Sequence, residues 1–189
     1  MTTICLVRHG ETDWNAAGRI QGSTDIPLNQ TGIEQARKCR EFLKNASWDV
    51  LITSPLLRAK ETATIVNEAL QLPLVEMAAF KERSFGDAEG MTAEERKSAY
   101  PDKNYPNQEP YDSLRNRVVR GIEDIYAQHV DKSVLLVAHG AVISAILSQY
   151  SNGEYDFEKT RLINACISNI HFRDGAWLVH DYNQIDHLS

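Results

Sequence analysis

Two histidines and two arginines each stand just beyond a short apolar run. Arg8-His9-Gly10 follows residues 4–7, Ser54-Pro55-Leu56-Leu57-Arg58 follows residues 50–53, and His139-Gly140 follows residues 134–138. Arginine offers a planar fork of donors that matches phosphate or carboxylate oxygens and keeps its charge when desolvated. Imidazole can serve as a nucleophile in such a pocket. Other phosphate chemistries are struck out by the sequence. It contains neither G-x-x-x-x-G-K-[ST] nor G-x-G-x-x-G, so no nucleotide-binding loop is indicated. A cysteine phosphatase needs an arginine six positions after its cysteine, where Cys5, Cys39 and Cys166 meet Glu11, Asn45 and Phe172. No Asp-x-Asp pair offers an aspartyl nucleophile, and no H-x-x-x-H spacing offers a helical metal site. A histidine nucleophile remains, passing through a phosphohistidine.

Something must bring these separated residues together. The apolar runs read as buried strands. Ser54 followed by Pro55 reads as an N-cap opening a helix toward residue 70 with Arg58 one turn in, and Thr31 with Glu34 fits a capping box ahead of Ile33, Ala36, Cys39 and Leu43. A further helix is expected from residue 113 to about 128. Arg173-Asp174-Gly175 reads as a hairpin turn between strands 164–172 and 176–182. Strands alternating with helices predict one domain over residues 1–189, a three-layer α/β/α sandwich with a mostly parallel sheet and an antiparallel edge. Ligands of such sheets bind beyond the carboxyl ends of the strands. Both histidines and both arginines would meet there, helped by the positive end of the helix at Ser54.

The 189 residues are 42% hydrophobic and 24% charged, an ordinary globular balance. With 20 Lys plus Arg against 26 Asp plus Glu, the net charge of -6 speaks against a nucleic-acid partner. The longest apolar stretch, residues 134–147, falls short of the roughly 20 residues of a membrane span. The first residues lack a signal-peptide pattern. Three distant cysteines suggest a reducing compartment, so a cytoplasmic protein is expected. No heptad or apolar stripe speaks to oligomeric state.

Arg8-His9-Gly10-Glu11-Thr12 with Trp14 and Asn15 resembles the signature of the histidine phosphatase (phosphoglycerate mutase-like) superfamily, branch 1. Four further motifs follow in that family's order: residues 22–28 (GSTDIPL), 53–59 (TSPLLRA), 80–86 (FKERSFG) with Glu89-Gly90, and 137–140 (VAHG). The resemblance implies the phosphoglycerate mutase-like fold, His9 as nucleophile, and Arg8, Arg58 and His139 as holders of the phosphoryl oxygens. It implies Glu82 as the proton donor to the leaving oxygen. Asn15, Gln21, Gly22, Arg83 and Gly140 would line the substrate pocket, with no metal or cofactor. A neutral His9 should have its other N–H fixed by an acceptor such as a backbone carbonyl. Read from the residues alone, Glu82 competes with Glu11 and Glu89 for the acid's role.

Ser23 stands where the mutases carry tryptophan, and Ser84-Phe85 where they carry His-Tyr. The chain is also short for their helical insertions. Against this, Arg83 could grip a second acidic group on a substrate. The expectation is a phosphomonoesterase of broad specificity acting on small phosphorylated metabolites. Three alternatives stay open: a phosphoglycerate mutase, an α-ribazole phosphatase and a phosphate-binding pseudoenzyme. Residues 100–111, with three prolines and three tyrosines, read equally as a lid or a surface loop. His187 is expected to be structural.

Overall fold

A computed structural model describes residues 1–189. In chain order the main elements are β1 (Thr2–Arg8), α1 (Asp13–Ala16), α2 (Gln30–Leu43), β2 (Val50–Thr53), α3 (Leu57–Leu70) and β3 (Leu74–Glu76). There follow α4 (Ala93–Ala99), α5 (Tyr111–Gln128), β4 (Ser133–Ala138), α6 (Gly140–Tyr150), β5 (Ile167–Arg173) and β6 (Ala176–Gln184). The strands form one sheet in the order β3-β2-β4-β1-β5-β6. The pairings β3-β2, β2-β4 and β4-β1 are parallel, whereas β1-β5 and β5-β6 are antiparallel.

Strand alternation splits the core in two. Ile4, Leu6, Val134 and Leu136 point to the face covered by α5 and α6, against Leu114, Val118, Ile122 and Ile146. Cys5, Val7, Leu135 and Val137 point to the opposite face, against Cys39 and Leu43 of α2 and Ala59, Ala63 and Val66 of α3. The expected three-layer α/β/α sandwich with an antiparallel edge is therefore the observed one. No helix is long and apolar enough to cross a membrane.

Two helix starts differ from expectation. The N-cap of α2 is Asn29, whose side chain accepts from Gly32 N, and not Thr31. Asn29 competes successfully because its own side chain is fixed by Glu11 at 2.9 Å. The cap of α3 is Leu56, so Ser54 lies outside the helix and Arg58 is its second residue. Both the Ser54 hydroxyl and the α3 N-terminus have other partners, given below. The hairpin turn is as read, with Asp174 and Gly175 both at positive φ, while β5 begins at Ile167 because residues 164–166 turn toward the strand ends.

Candidate active site

Parallel pairing brings the histidines together. Arg8 lies opposite Ala138 and Thr53 opposite Val137, so His9, Ser54 and His139 emerge side by side at one rim of the sheet. His9 is 2% exposed, and its Nδ1 stands 2.6 Å from the carbonyl oxygen of Gly10. A carbonyl only accepts, so Nδ1 carries the proton and Nε2 keeps its lone pair. The backbone of His9 is fixed too: its oxygen accepts from Ala165 N at 3.1 Å and from Asn164 Nδ2 at 3.3 Å. Burial, then the charges of Arg58 and Arg8, hold the His9 pKa well below its ordinary value.

The ring of His139 lies 5.2 Å from that of His9 and is fully buried. Its Nε2 is 2.7 Å from the Ser54 hydroxyl, which also accepts from Leu56 N at 3.3 Å. A hydroxyl that accepts from an amide has its own proton free to give. With Ser54 donating to Nε2, the other nitrogen, Nδ1, becomes an N–H donor. Burial and the nearby cations again keep the imidazole neutral.

Arg58 has no solvent exposure, yet neither of its side-chain hydrogen bonds goes to a carboxylate. Carbonyl oxygens hold it instead, Nη1 donating to Thr24 at 2.8 Å and Nη2 to Gly22 at 2.7 Å. Burial lowers its pKa to about 10. Arg8 donates through Nη1 to the Leu162 carbonyl, and burial lowers its pKa as well. Holding two cations with neutral groups is costly and leaves their charge available to an anion. The α3 N-terminus does not contribute as expected, because Leu57 N donates to Asp25 at 2.7 Å.

Among the three acidic candidates, tertiary contacts separate the roles. Glu82 is buried beside both arginines, its two oxygens accepting from Arg83 N at 2.8 Å and Ala141 N at 3.1 Å. Burial raises its pKa, outweighing those hydrogen bonds and the arginine charges. Glu11 is spent on Asn29, and Glu89 on loop backbone. Four buried side-chain atoms in the molecule lack a hydrogen-bond partner: Arg8 Nε, Arg58 Nε, Gln21 Nε2 and His139 Nδ1. All are nitrogens at or just behind one cavity of about 200 Å³. Their convergence is the chemistry of an anion site.

A model of the histidine phosphatase superfamily (branch 1) matches residues 4–185. The chain belongs to that superfamily. It is 54% identical to an uncharacterized phosphatase, PhoE, of Bacillus subtilis, over all of this chain and 98% of that one. It is 34% identical to a metal-independent phosphoserine phosphatase of Arabidopsis thaliana, over all of this chain and 84% of the relative. Among solved structures, a mutant phosphoserine phosphatase of Entamoeba histolytica in complex with phosphoserine aligns with TM-score 0.85 at 30% identity, covering both chains fully. The protein is a phosphatase.

In this histidine phosphatase the cavity wall includes Arg8, His9, Arg58 and Glu82, together with Asn15, Gln21 and Gly140, all singled out from sequence. Asn15 accepts through Oδ1 from Thr12 N and Asn164 Nδ2, and Gln21 Oε1 accepts from the Thr12 hydroxyl at 2.9 Å. Three others lie outside the lining. His139 sits just beneath it, and Gly22 serves through its carbonyl under Arg58. Arg83 is not among the lining residues: its Nε donates to Glu109 O at 2.8 Å and its guanidinium lies 5.6 Å from the Phe85 ring centroid.

Arg19, Ile20, Phe85 and Ala141 also line the cavity without having been singled out. Phe85 falls in the 80–86 motif, and Ile20 and Ala141 adjoin Gln21 and Gly140, but only the fold shows that their side chains reach the cavity. Residues 100–110 brace the acid-bearing loop from outside, Glu109 N donating to Ser84 O and Asp87 N to Pro106 O. His187 lies away from the cavity, its Nε2 2.9 Å from Ala165 O. A larger, mainly apolar cavity of about 410 Å³ is lined by Leu28, Ile33, Leu57 and Ile65 with Lys60, Glu61 and Thr64; it contains no histidine or arginine.

Proposed function

We propose that this phosphatase, acting as a single domain, hydrolyses small phosphomonoesters in two steps through a phosphohistidine on His9 and without a metal ion. The observation that carries the reading is the set of four unpartnered nitrogens around a neutral, oriented His9. Arg8, Arg58, the Nδ1–H of His139 and the Gln21 amide would hold the phosphoryl oxygens, with Asn15 and Gly140 completing the pocket. His9 Nε2 attacks phosphorus while the protonated Glu82 gives its proton to the leaving oxygen. Glu82, now a carboxylate, then takes a proton from water as that water attacks phosphorus and the P–N bond breaks. Phosphate leaves, and both residues return to their starting forms. A metal is not called on, since two arginines already supply positive charge where developing charge must be met.

Hydrolysis is favoured over mutase chemistry because Arg83, the group that could grip a second acid, lies outside the cavity lining and has its Nε held by the Glu109 backbone carbonyl. Broad specificity is supported by Ile20, Phe85 and Ala141, apolar wall residues that direct no side-chain hydrogen bond at an alcohol. Three free, buried cysteines suit a cytoplasmic setting.

The test is phosphate release from 4-nitrophenyl phosphate and 3-phosphoglycerate in EDTA, with rapid quench at alkaline pH, where phosphohistidine persists. Turnover should survive EDTA and a base-stable phosphoenzyme should accumulate. In His9→Ala both should vanish, with activity down by at least about four orders of magnitude. Formation of 2-phosphoglycerate without phosphate release would overturn the hydrolase assignment.

A further inference from the structure

The proposed chemistry needs Arg58 and Glu82 at a fixed spacing, yet separate loops support them. The carbonyls of Gly22 and Thr24 hold Arg58, and Glu82 opens the loop that continues to Phe85. One carboxylate joins the two loops. Glu89 accepts from Thr24 N at 2.8 Å and Gly22 N at 3.3 Å on one side, and from Phe85 N at 3.0 Å on the other. The hydroxyls of Ser23, Thr24 and Ser84 also point to it. The loops touch directly as well: a Cβ on Gly22 would stand 2.2 Å from the Arg83 carbonyl oxygen and 3.0 Å from Phe85 N. Burial alone would raise the Glu89 carboxyl, but its hydrogen bonds to Thr24 and Phe85 hold it below its ordinary value.

We propose that Glu89 is a positioning residue that sets the distance between the phosphoryl-holding Arg58 and the acid Glu82. The proposal rests on the roles given to those two residues above. Only a carboxylate suits the place, since every neighbour is a donor and an ionised carboxylate is purely an acceptor. A carboxamide of the same shape would turn an NH₂ toward other N–H groups and open one side of the clamp. The consequences are twofold. A loosened Arg58 weakens phosphoryl binding, and a displaced Glu82 penalises leaving groups that need its proton.

The experiment compares wild type, Glu89→Gln, Glu89→Asp and Glu82→Gln. Each is assayed for kcat/KM on phenyl phosphate and 4-nitrophenyl phosphate, which are similar in shape but differ in leaving-group basicity. Inhibition by orthovanadate gives phosphoryl-site affinity. Glu89→Gln should lose on the order of a hundredfold on phenyl phosphate but much less on 4-nitrophenyl phosphate, with vanadate inhibition weakened. Glu89→Asp should fall between, its carboxylate kept but its reach shortened. A variant that merely folds poorly loses active fraction and scales both substrates equally. Equal losses with unchanged vanadate inhibition would overturn the clamp. Should Glu82→Gln itself scale both substrates equally, the acid has been misassigned, and the vanadate arm then decides the clamp alone.

Discussion

The parallel part of the sheet and its antiparallel edge are built differently, and only the parallel part leads into the side chains proposed to react. In β1, β2 and β4 almost every residue is buried, and all three strands point their carboxyl ends the same way. Polar residues that follow such strands must gather on one rim. In β6, exposed and half-buried residues alternate throughout, and no residue of β5 or β6 lines the cavity of about 200 Å³ at the candidate site. Because β5 runs against β1, it reaches the same rim by its amino end. The segment leading into it supplies backbone and amide braces: Leu162 O for Arg8, and Asn164 and Ala165 for His9. The parallel strands gather the candidate site residues, whereas the antiparallel edge braces them.

Substitutions can break or sharpen this contrast. After the loss expected of His9→Ala, Arg58→Ala should have the next largest effect, lowering kcat/KM by about a thousandfold, roughly 4 kcal/mol, by removing a preorganised charge from the parallel rim. Steady-state kinetics on the folded variant checks it. Leu136→Ala, at a fully buried position of β4, should cost about 3 kcal/mol of stability in urea unfolding without moving KM.

Acid should weaken the fold through the rim as well. His9 and His139 stay neutral in the fold, their pKa values held well below 6.5, while unfolded histidines bind protons near that value. The unfolded state therefore holds more protons in this range. Stability must fall as pH drops from 6.5 toward the lowered folded values, by at most about 1.4 kcal/mol per pH unit for each histidine. Melting curves between pH 7.5 and about 5 should show a shallower slope for His139→Gln than for wild type.

The edge should tolerate more. Gly175→Ala, at φ +83° in the hairpin turn with open space around it, should cost about 1 kcal/mol through backbone strain alone. Leu178→Ala, 37% exposed on β6, should change stability by no more than about 0.5 kcal/mol. A loss from Leu178→Ala comparable with that of Leu136→Ala would mean that the edge is as integral as the parallel strands.

Activity adds a pH test of its own. Burial raises the Glu82 pKa, and the proposed first step needs its proton, so kcat/KM should decline as pH rises through that raised value. In Glu82→Gln this alkaline decline should disappear from an already lowered profile.

What could be read from the sequence was local. Apolar runs at 4–7, 50–53 and 134–138 mark buried strands because a strand covered on both faces needs apolar residues at every position. The Asp174-Gly175 turn is legible because its backbone conformation favours those residues. The phosphate chemistry was legible too, since two arginines and two histidines converge from three strand ends and the other phosphate-handling motifs are missing from the sequence. Tertiary structure decided what depends on partners far along the chain. Glu82 and Glu89 differ because packing gives one a burial site beside two arginines and the other a ring of donors, some of them 65 to 67 residues away. Packing likewise turned Arg83 to Glu109 and took Ser54 from helix α3 to give it to His139. A side chain's type limits its chemistry, but its charge state and task follow from the dielectric and the donors around it, and only the folded chain supplies those.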